Sequence, residues 1–134
     1  MELTHKEIFL QSLDRCSESE NFIPSFYDRF LATSDEIREK FKDTDFDKQS
    51  QMLLHSLKLA AGATLGESVA LREIRERAET HDRHHLDIAP RLYTFWLDSV
   101  IETASEYDSQ WDETVEESWN TILGHVVKHM TKFY

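Results

Sequence analysis

The stretch PRLYTFWLDSVIETA, residues 90–104, decides the fold class of this 134-residue chain. Its apolar side chains recur every three or four positions, which is the spacing of one face of an α-helix. Proline is tolerated in the first turn of a helix, so Pro90 predicts a helix start. The stretch therefore predicts a helix whose broad apolar face enters a core: Leu92, Tyr93, Trp96, Leu97, Val100, Ile101 and Ala104.

The same helical spacing recurs on both sides of this stretch. Thr4 followed by Glu7 has the pattern of a capping box, and Asn21 to Pro24 predicts a second helix start. No segment alternates with period two over the length of a strand, and only 3 glycines and 2 prolines interrupt the chain. We predict one all-α domain over residues 1–134, with about six to eight helices of unequal length that cross at steep angles.

Composition excludes several classes of protein. The 26 acidic residues outnumber the 15 Lys and Arg, and the resulting charge of −11 would repel a nucleic acid because the basic residues are scattered. No apolar run approaches the roughly 20 residues of a membrane span. The N-terminus lacks the apolar stretch of a signal peptide, so we expect a cytoplasmic protein. Cys16 is the single cysteine, which rules out an internal disulfide.

Seven histidines are the residues most able to carry chemistry, because imidazole is the commonest metal ligand in proteins. His125 and His129 fall near the end of the last predicted helix, where polar and cationic side chains suit the helix dipole. The segment HDRHHLDIAP, residues 81–90, ends an amphipathic helix just before a break. One histidine of this segment can point inward, and the residues alone leave open which one.

With this segment the sequence resembles the bacterial globins, in particular single-domain relatives of the flavohaemoglobin globin module. In that family a short helix ends in the histidine that ligates haem iron. An aliphatic residue, a proline and an aromatic residue then open the next helix, and Ile88, Pro90 and Tyr93 match them. The resemblance implies a globin fold around haem b with His81 as the iron ligand. If His81 is the ligand, His85 lies one helical turn further on, and this spacing predicts that it lies near the haem edge, within reach of a propionate.

Further matches lie on the side of the pocket that binds the gas. FYDRF, residues 26–30, resembles a family motif whose tyrosine, here Tyr27, donates a hydrogen bond to bound dioxygen. Phe41 matches the phenylalanine that wedges against the porphyrin. Gln49 matches the distal glutamine, although Gln51 is a rival for that role. Leu53 and Leu97 complete the set of cofactor-binding residues that the resemblance implies.

The resemblance implies a protein that binds dioxygen, nitric oxide or carbon monoxide at a five-coordinate haem iron. Nitric oxide dioxygenation is a further expectation, and it would need a separate reductase because the chain contains no glycine fingerprint for a flavin or nicotinamide module. The alternative is a haem-based gas or redox sensor that acts through a partner protein. We expect a monomer or a homodimer without a membrane partner.

Overall fold

The computed structural model describes residues 3–64, 72, 76 and 89–132. These residues contain no strand, and six α-helices have described bounds. This confirms the predicted all-α class. The helices are α1 His5–Ser17, α2 Phe22–Leu31, α3 Asp35–Lys40, α4 Phe46–Thr64, α5 Pro90–Tyr107 and α6 Glu113–Lys132. No helix within these ranges is both long and apolar enough to cross a lipid bilayer.

Local capping chemistry sets where the helices begin. The Thr4 hydroxyl accepts a hydrogen bond from the Glu7 N–H at 3.2 Å, and α1 starts at the next residue after Thr4, as predicted. Pro90 is the first residue of α5. The Asp45 carboxylate accepts hydrogen bonds from the N–H groups of residues 47 and 48, and α4 starts at the next residue, Phe46.

The core forms where α6 packs against α1, α4 and α5, and where α5 packs against α2. Trp119 of α6 is fully buried, and its ring meets that of Phe9 on α1 edge to face, with the centroids 4.8 Å apart. Phe26 of α2 contacts Trp96 of α5 in the same manner at 6.5 Å. The first contact joins α1 to α6, and the second joins α2 to α5.

A buried polar network ties α1 to the turn between α5 and α6. The Trp119 indole N–H donates to the Ser12 hydroxyl at 2.8 Å, and that hydroxyl donates to the Asp108 carboxylate at 2.5 Å. The Arg15 guanidinium donates to both oxygens of the same carboxylate, at 2.5 and 3.0 Å. Burial alone would raise the pKa of Asp108, but hydrogen bonds from Arg15, Ser12 and the Gln110 N–H outweigh burial and lower it.

Cys16 lies on the same side of α1, fully buried. Its thiol donates a weak hydrogen bond to the Ala104 carbonyl, with the sulfur 3.5 Å from the oxygen. Burial and the nearby Asp108 carboxylate raise the pKa of this thiol to about 12. The thiol is therefore protonated at neutral pH and packs as a small apolar group.

Candidate functional site

An apolar cavity lies between α3, α4, α5 and α6. About 170 Å³ of it is open to the centre of a water molecule, compared with the roughly 10–15 Å³ that one water needs by the same measure. The cavity therefore has room for a much larger ligand. Its apolar lining comes from Phe30, Ile37, Phe41, Met52, Leu53, Leu57, Leu59, Ala60, Leu92, Trp96, Leu123, Val126, Val127 and Met130.

Four polar side chains interrupt this apolar wall, namely Lys40, Gln49, Ser56 and Tyr93. The Ser56 hydroxyl donates to the Met52 carbonyl at 2.8 Å, so its proton is used within α4. Burial raises the pKa of the Tyr93 phenol to about 12, which keeps it protonated at neutral pH. An apolar pocket with a few placed polar groups is the usual form of a cofactor site.

Tyr27 lies beside the cavity and is absent from its lining. Its side chain is 5% exposed and packs against the rings of Phe41 and Phe46, with centroids 6.2 and 5.3 Å away. The phenol donates to the main-chain carbonyl of Gln49 at 3.3 Å. Burial raises the pKa of Tyr27 to about 12, so this phenol is also protonated at neutral pH.

The structure brings together several of the residues that the sequence predicts for the site. Phe41, Gln49, Leu53 and Tyr93 all line the cavity. Leu97 is half-buried and packs against the core without lining the cavity. The predicted residues His81, His85 and Ile88 lie outside the described residues, as does the alternative ligand His84.

The histidines that are described do not supply a ligand to this cavity. His5 contacts the Ser118 hydroxyl at 3.0 Å, between α1 and α6. His55, His125 and His129 are also absent from the cavity lining. Within residues 3–64, 72, 76 and 89–132, no three His, Cys, Asp or Glu side chains are grouped so that they could hold a metal ion. An imidazole facing the cavity is therefore not found in this part of the chain.

The sequence analysis did not assign Lys40, Trp96 or a group of residues on α6 to the site, although all of them line the cavity. Lys40 precedes Phe41, and Trp96 follows Tyr93 by three positions on the same helix face. The lining residues of α6 form a stripe along one face of that helix, which includes Leu123, Val126 and Met130. The spacing of three and four in this stripe is visible in the sequence, but the same spacing marks any buried helix face.

Comparisons with known proteins agree with this arrangement. A family model described as Globin matches residues 24–130, and the chain belongs to the globin family. Among solved structures, the chain is similar to PA3967 from Pseudomonas aeruginosa PAO1, a protein described as structurally highly homologous to a human hemoglobin. The two share 30% identity with a TM-score of 0.92, and the match covers 98% of each chain. No curated protein sequence matches the chain significantly.

The predicted globin fold is thus confirmed, and membership of the family implies that the chain binds haem and a diatomic gas such as dioxygen. The cavity suits haem in its chemistry. Its walls are apolar on α4 and α6, the aromatic ring of Phe41 lines it, and its few polar groups include one cation, Lys40. A flat, largely apolar macrocycle with carboxylate substituents fits that combination of surfaces.

Proposed function

We propose that this chain binds dioxygen at a haem b held in the cavity between α3, α4, α5 and α6. One observation carries the proposal. In a chain of the globin family, an apolar cavity is lined by Phe41, Gln49 and Tyr93, three residues that family resemblance alone assigns to the haem pocket. The agreement is informative because the three residues come from separate segments and depend on tertiary packing to meet.

When bound, haem would supply an iron that takes up a diatomic gas. The protein's part is to hold the group in a dry slot and to provide its axial imidazole. Leu53 and Leu57 are buried at the cavity wall and exclude water from it. His81 provides the axial imidazole in this proposal, which is consistent with the absence of every described histidine from the lining.

Two donors serve the gas side of the pocket. The Gln49 side chain lines the cavity, and the Tyr27 phenol reaches the first turn of α4 beside it. Both donors are neutral at physiological pH. The Gln49 amide carries no titratable proton in this range, and burial raises the pKa of the Tyr27 phenol to about 12. A hydrogen bond to a partially anionic ligand contributes roughly 1.5–3 kcal/mol. The pair is therefore suited to slowing the release of dioxygen.

Tyr93 belongs to the opposite part of the site in this proposal. Its protonated phenol is a hydrogen-bond donor in the cavity wall, and such a group can fix the orientation of an axial imidazole. His85 and Ile88 are assigned to the haem edge, His85 towards a propionate. Leu97 is half-buried on α5 and packs against the core.

The decisive experiment is reconstitution of the purified chain with haem, followed by absorption spectroscopy. We expect a Soret band that saturates at one haem per chain, and a reversible spectral change when the reduced protein is exposed to dioxygen. A folded chain that takes up no haem would refute the proposal.

Stopped-flow mixing of the oxygenated protein with nitric oxide, with and without a reductase, separates a carrier from a nitric oxide dioxygenase, since sustained nitrate formation marks the enzyme.

A further inference from the structure

Phe46, the first residue of α4, lies beside Tyr27 and does not line the cavity. Its ring meets the Tyr27 ring nearly edge to face, at an interplanar angle of 71° and with the centroids 5.3 Å apart. It also stacks on the ring of Phe41, which does line the cavity, with the centroids 6.2 Å apart. Phe46 therefore packs behind two residues assigned to the gas side of the pocket.

The first turn of α4 contacts the Tyr27 side chain at two points. Phe46 packs against the ring, and the main-chain carbonyl of Gln49 accepts the hydrogen bond from the phenol. The Asp45 carboxylate stabilises this turn by accepting from the N–H groups of residues 47 and 48. The position of the Tyr27 phenol therefore depends on how α4 begins.

Phe46 also separates Tyr27 from solvent. Among the described residues, the rings of Phe26, Phe41 and Phe46 contact the Tyr27 ring. Phe26 is fully buried and Phe41 is half-buried, whereas Phe46 is 36% exposed. The ring of Phe46 thus forms the outer cover of a buried tyrosine. The hydroxyl bond of that tyrosine, at 3.3 Å, is too long to fix the side chain by itself.

We propose that Phe46 is a positioning residue for the gas site, which holds the Tyr27 phenol in place and keeps water away from it; the inference rests on the proposed function. A hydrogen-bond donor is stronger in a dry environment of low dielectric. A phenol that packing already holds in place also loses little freedom when it donates to a ligand. Phe46 therefore acts on the bound gas through Tyr27, without contributing a group to the cavity wall.

The test compares the release of dioxygen and carbon monoxide from the haem-loaded chain. Replacing Phe46 by Ala should speed dioxygen release about threefold to tenfold, because the Tyr27 donor is weakened and not removed. Carbon monoxide acquires less charge, so its release should change little. Phe46→Leu keeps apolar bulk without a ring and should fall between Phe46→Ala and the wild type. Phe95→Ala is the matched control and should match the wild type, because Phe95 is also 36% exposed and does not line the cavity.

A double-mutant cycle shows whether Phe46 acts through Tyr27. The phenol is absent from Tyr27→Phe, so adding Phe46→Ala to that variant should leave dioxygen release unchanged. Equal acceleration in both backgrounds would show that Phe46 supports the pocket by another route. An unchanged rate for Phe46→Ala alone would show that Tyr27 needs no such support. Either result overturns the inference while gas binding stands.

A readout that needs no haem checks the same relationship. Labelling with fluorotyrosine gives a fluorine NMR resonance for each of the four tyrosines, and Tyr27→Phe identifies the resonance of Tyr27. The difference in its chemical shift between light and heavy water reports contact with solvent. We expect that difference to increase in Phe46→Ala and to keep its wild-type value in Phe95→Ala. An unchanged difference in Phe46→Ala overturns the inference alone, whereas a wild-type chain that binds no haem overturns the proposed function as well.

Discussion

The Tyr27 phenol donates a hydrogen bond to the main-chain carbonyl of Gln49, joining α2 to the first turn of α4 over 3.3 Å. The side chain of Gln49 lines the cavity while its carbonyl holds the phenol. The bond is long for an O–H donor, whose usual distance is about 2.7–2.8 Å. It is accordingly weak, and a partially anionic ligand in the cavity is a stronger acceptor than this carbonyl.

Replacing Tyr27 by Phe should speed dioxygen release by at least about tenfold, because a donor to the partially anionic gas is worth roughly 1.5–3 kcal/mol. Carbon monoxide acquires less charge, so its release should change little. Flash photolysis or stopped-flow mixing measures both rates. Tyr107→Phe is the control, since the Tyr107 phenol bonds to the Ser25 hydroxyl at 2.6 Å and does not line the cavity. Small and equal changes for both gases would make Tyr27 a core residue and leave Gln51 or His55 as the donor.

Replacing His81 by Ala should remove the haem, or leave a spectrum that added imidazole restores, because an iron without its axial ligand is held only by the cavity wall. Absorption spectra of the reconstituted variant check this. His84→Ala and His85→Ala provide controls from the same segment, and both should keep a Soret band. A normal spectrum for His81→Ala together with haem loss in His85→Ala would reverse the assignment.

Replacing Asp108 by Asn should lower the free energy of unfolding by about 1.5–3 kcal/mol, because the charge-assisted bonds from Arg15 and Ser12 weaken. The pKa of Asp108 is lowered in the folded protein, so its carboxylate stabilises the fold at pH values above the unfolded pKa of about 3.9. The difference between wild type and variant should stay constant above that pH and narrow as the pH falls through the lower folded pKa.

Urea unfolding at several pH values measures this difference. Asp98→Asn is the control, because Asp98 is exposed on α5. Its substitution should change the free energy of unfolding by less than about 0.5 kcal/mol. A difference for Asp108→Asn that is absent at neutral pH, or that widens in acid, would contradict the stabilising role of the carboxylate.

Cys16 should react with iodoacetamide only when the chain opens. With the pKa of its thiol near 12, about one thiol in ten thousand is ionised at pH 8, and the thiolate is the reactive form. We expect labelling in buffer to be at least about a hundredfold slower than labelling in concentrated urea, where the thiol regains a pKa of about 8.5. Mass spectrometry of quenched samples gives both rates, and equal rates would show that Cys16 is accessible in the folded chain.

The sequence predicted the helix starts well because they depend on local chemistry. Thr4 with Glu7, and Pro90 at the head of α5, are signals within one turn of the helix that they begin. The sequence could not show which residues on the apolar face of α5 line the cavity and which pack against the core. Tyr93 and Trp96 line the cavity whereas Leu97 packs against the core, and the spacing alone treats all three alike.

Lys40 shows a related limit. A lysine at the end of a short polar helix has the pattern of a solvated surface residue, and only the folded chain shows that it lines the cavity. Met52 shows the converse. It is an apolar residue of α4 that lines the cavity, yet it is 47% exposed.

The hydrogen bond from Trp119 to Ser12 spans 107 positions of the chain, and it has a consequence for synthesis in the cell. The first helix leaves the ribosome long before its partner on α6 exists. At roughly 5–20 residues per second, that interval lasts about 5–20 s. During this time α1 lacks its largest packing partner, and the ring of Phe9 lacks its contact with Trp119. The nascent chain therefore completes its core only after α6 has been synthesised, and until then α1 is a segment for chaperones to shield.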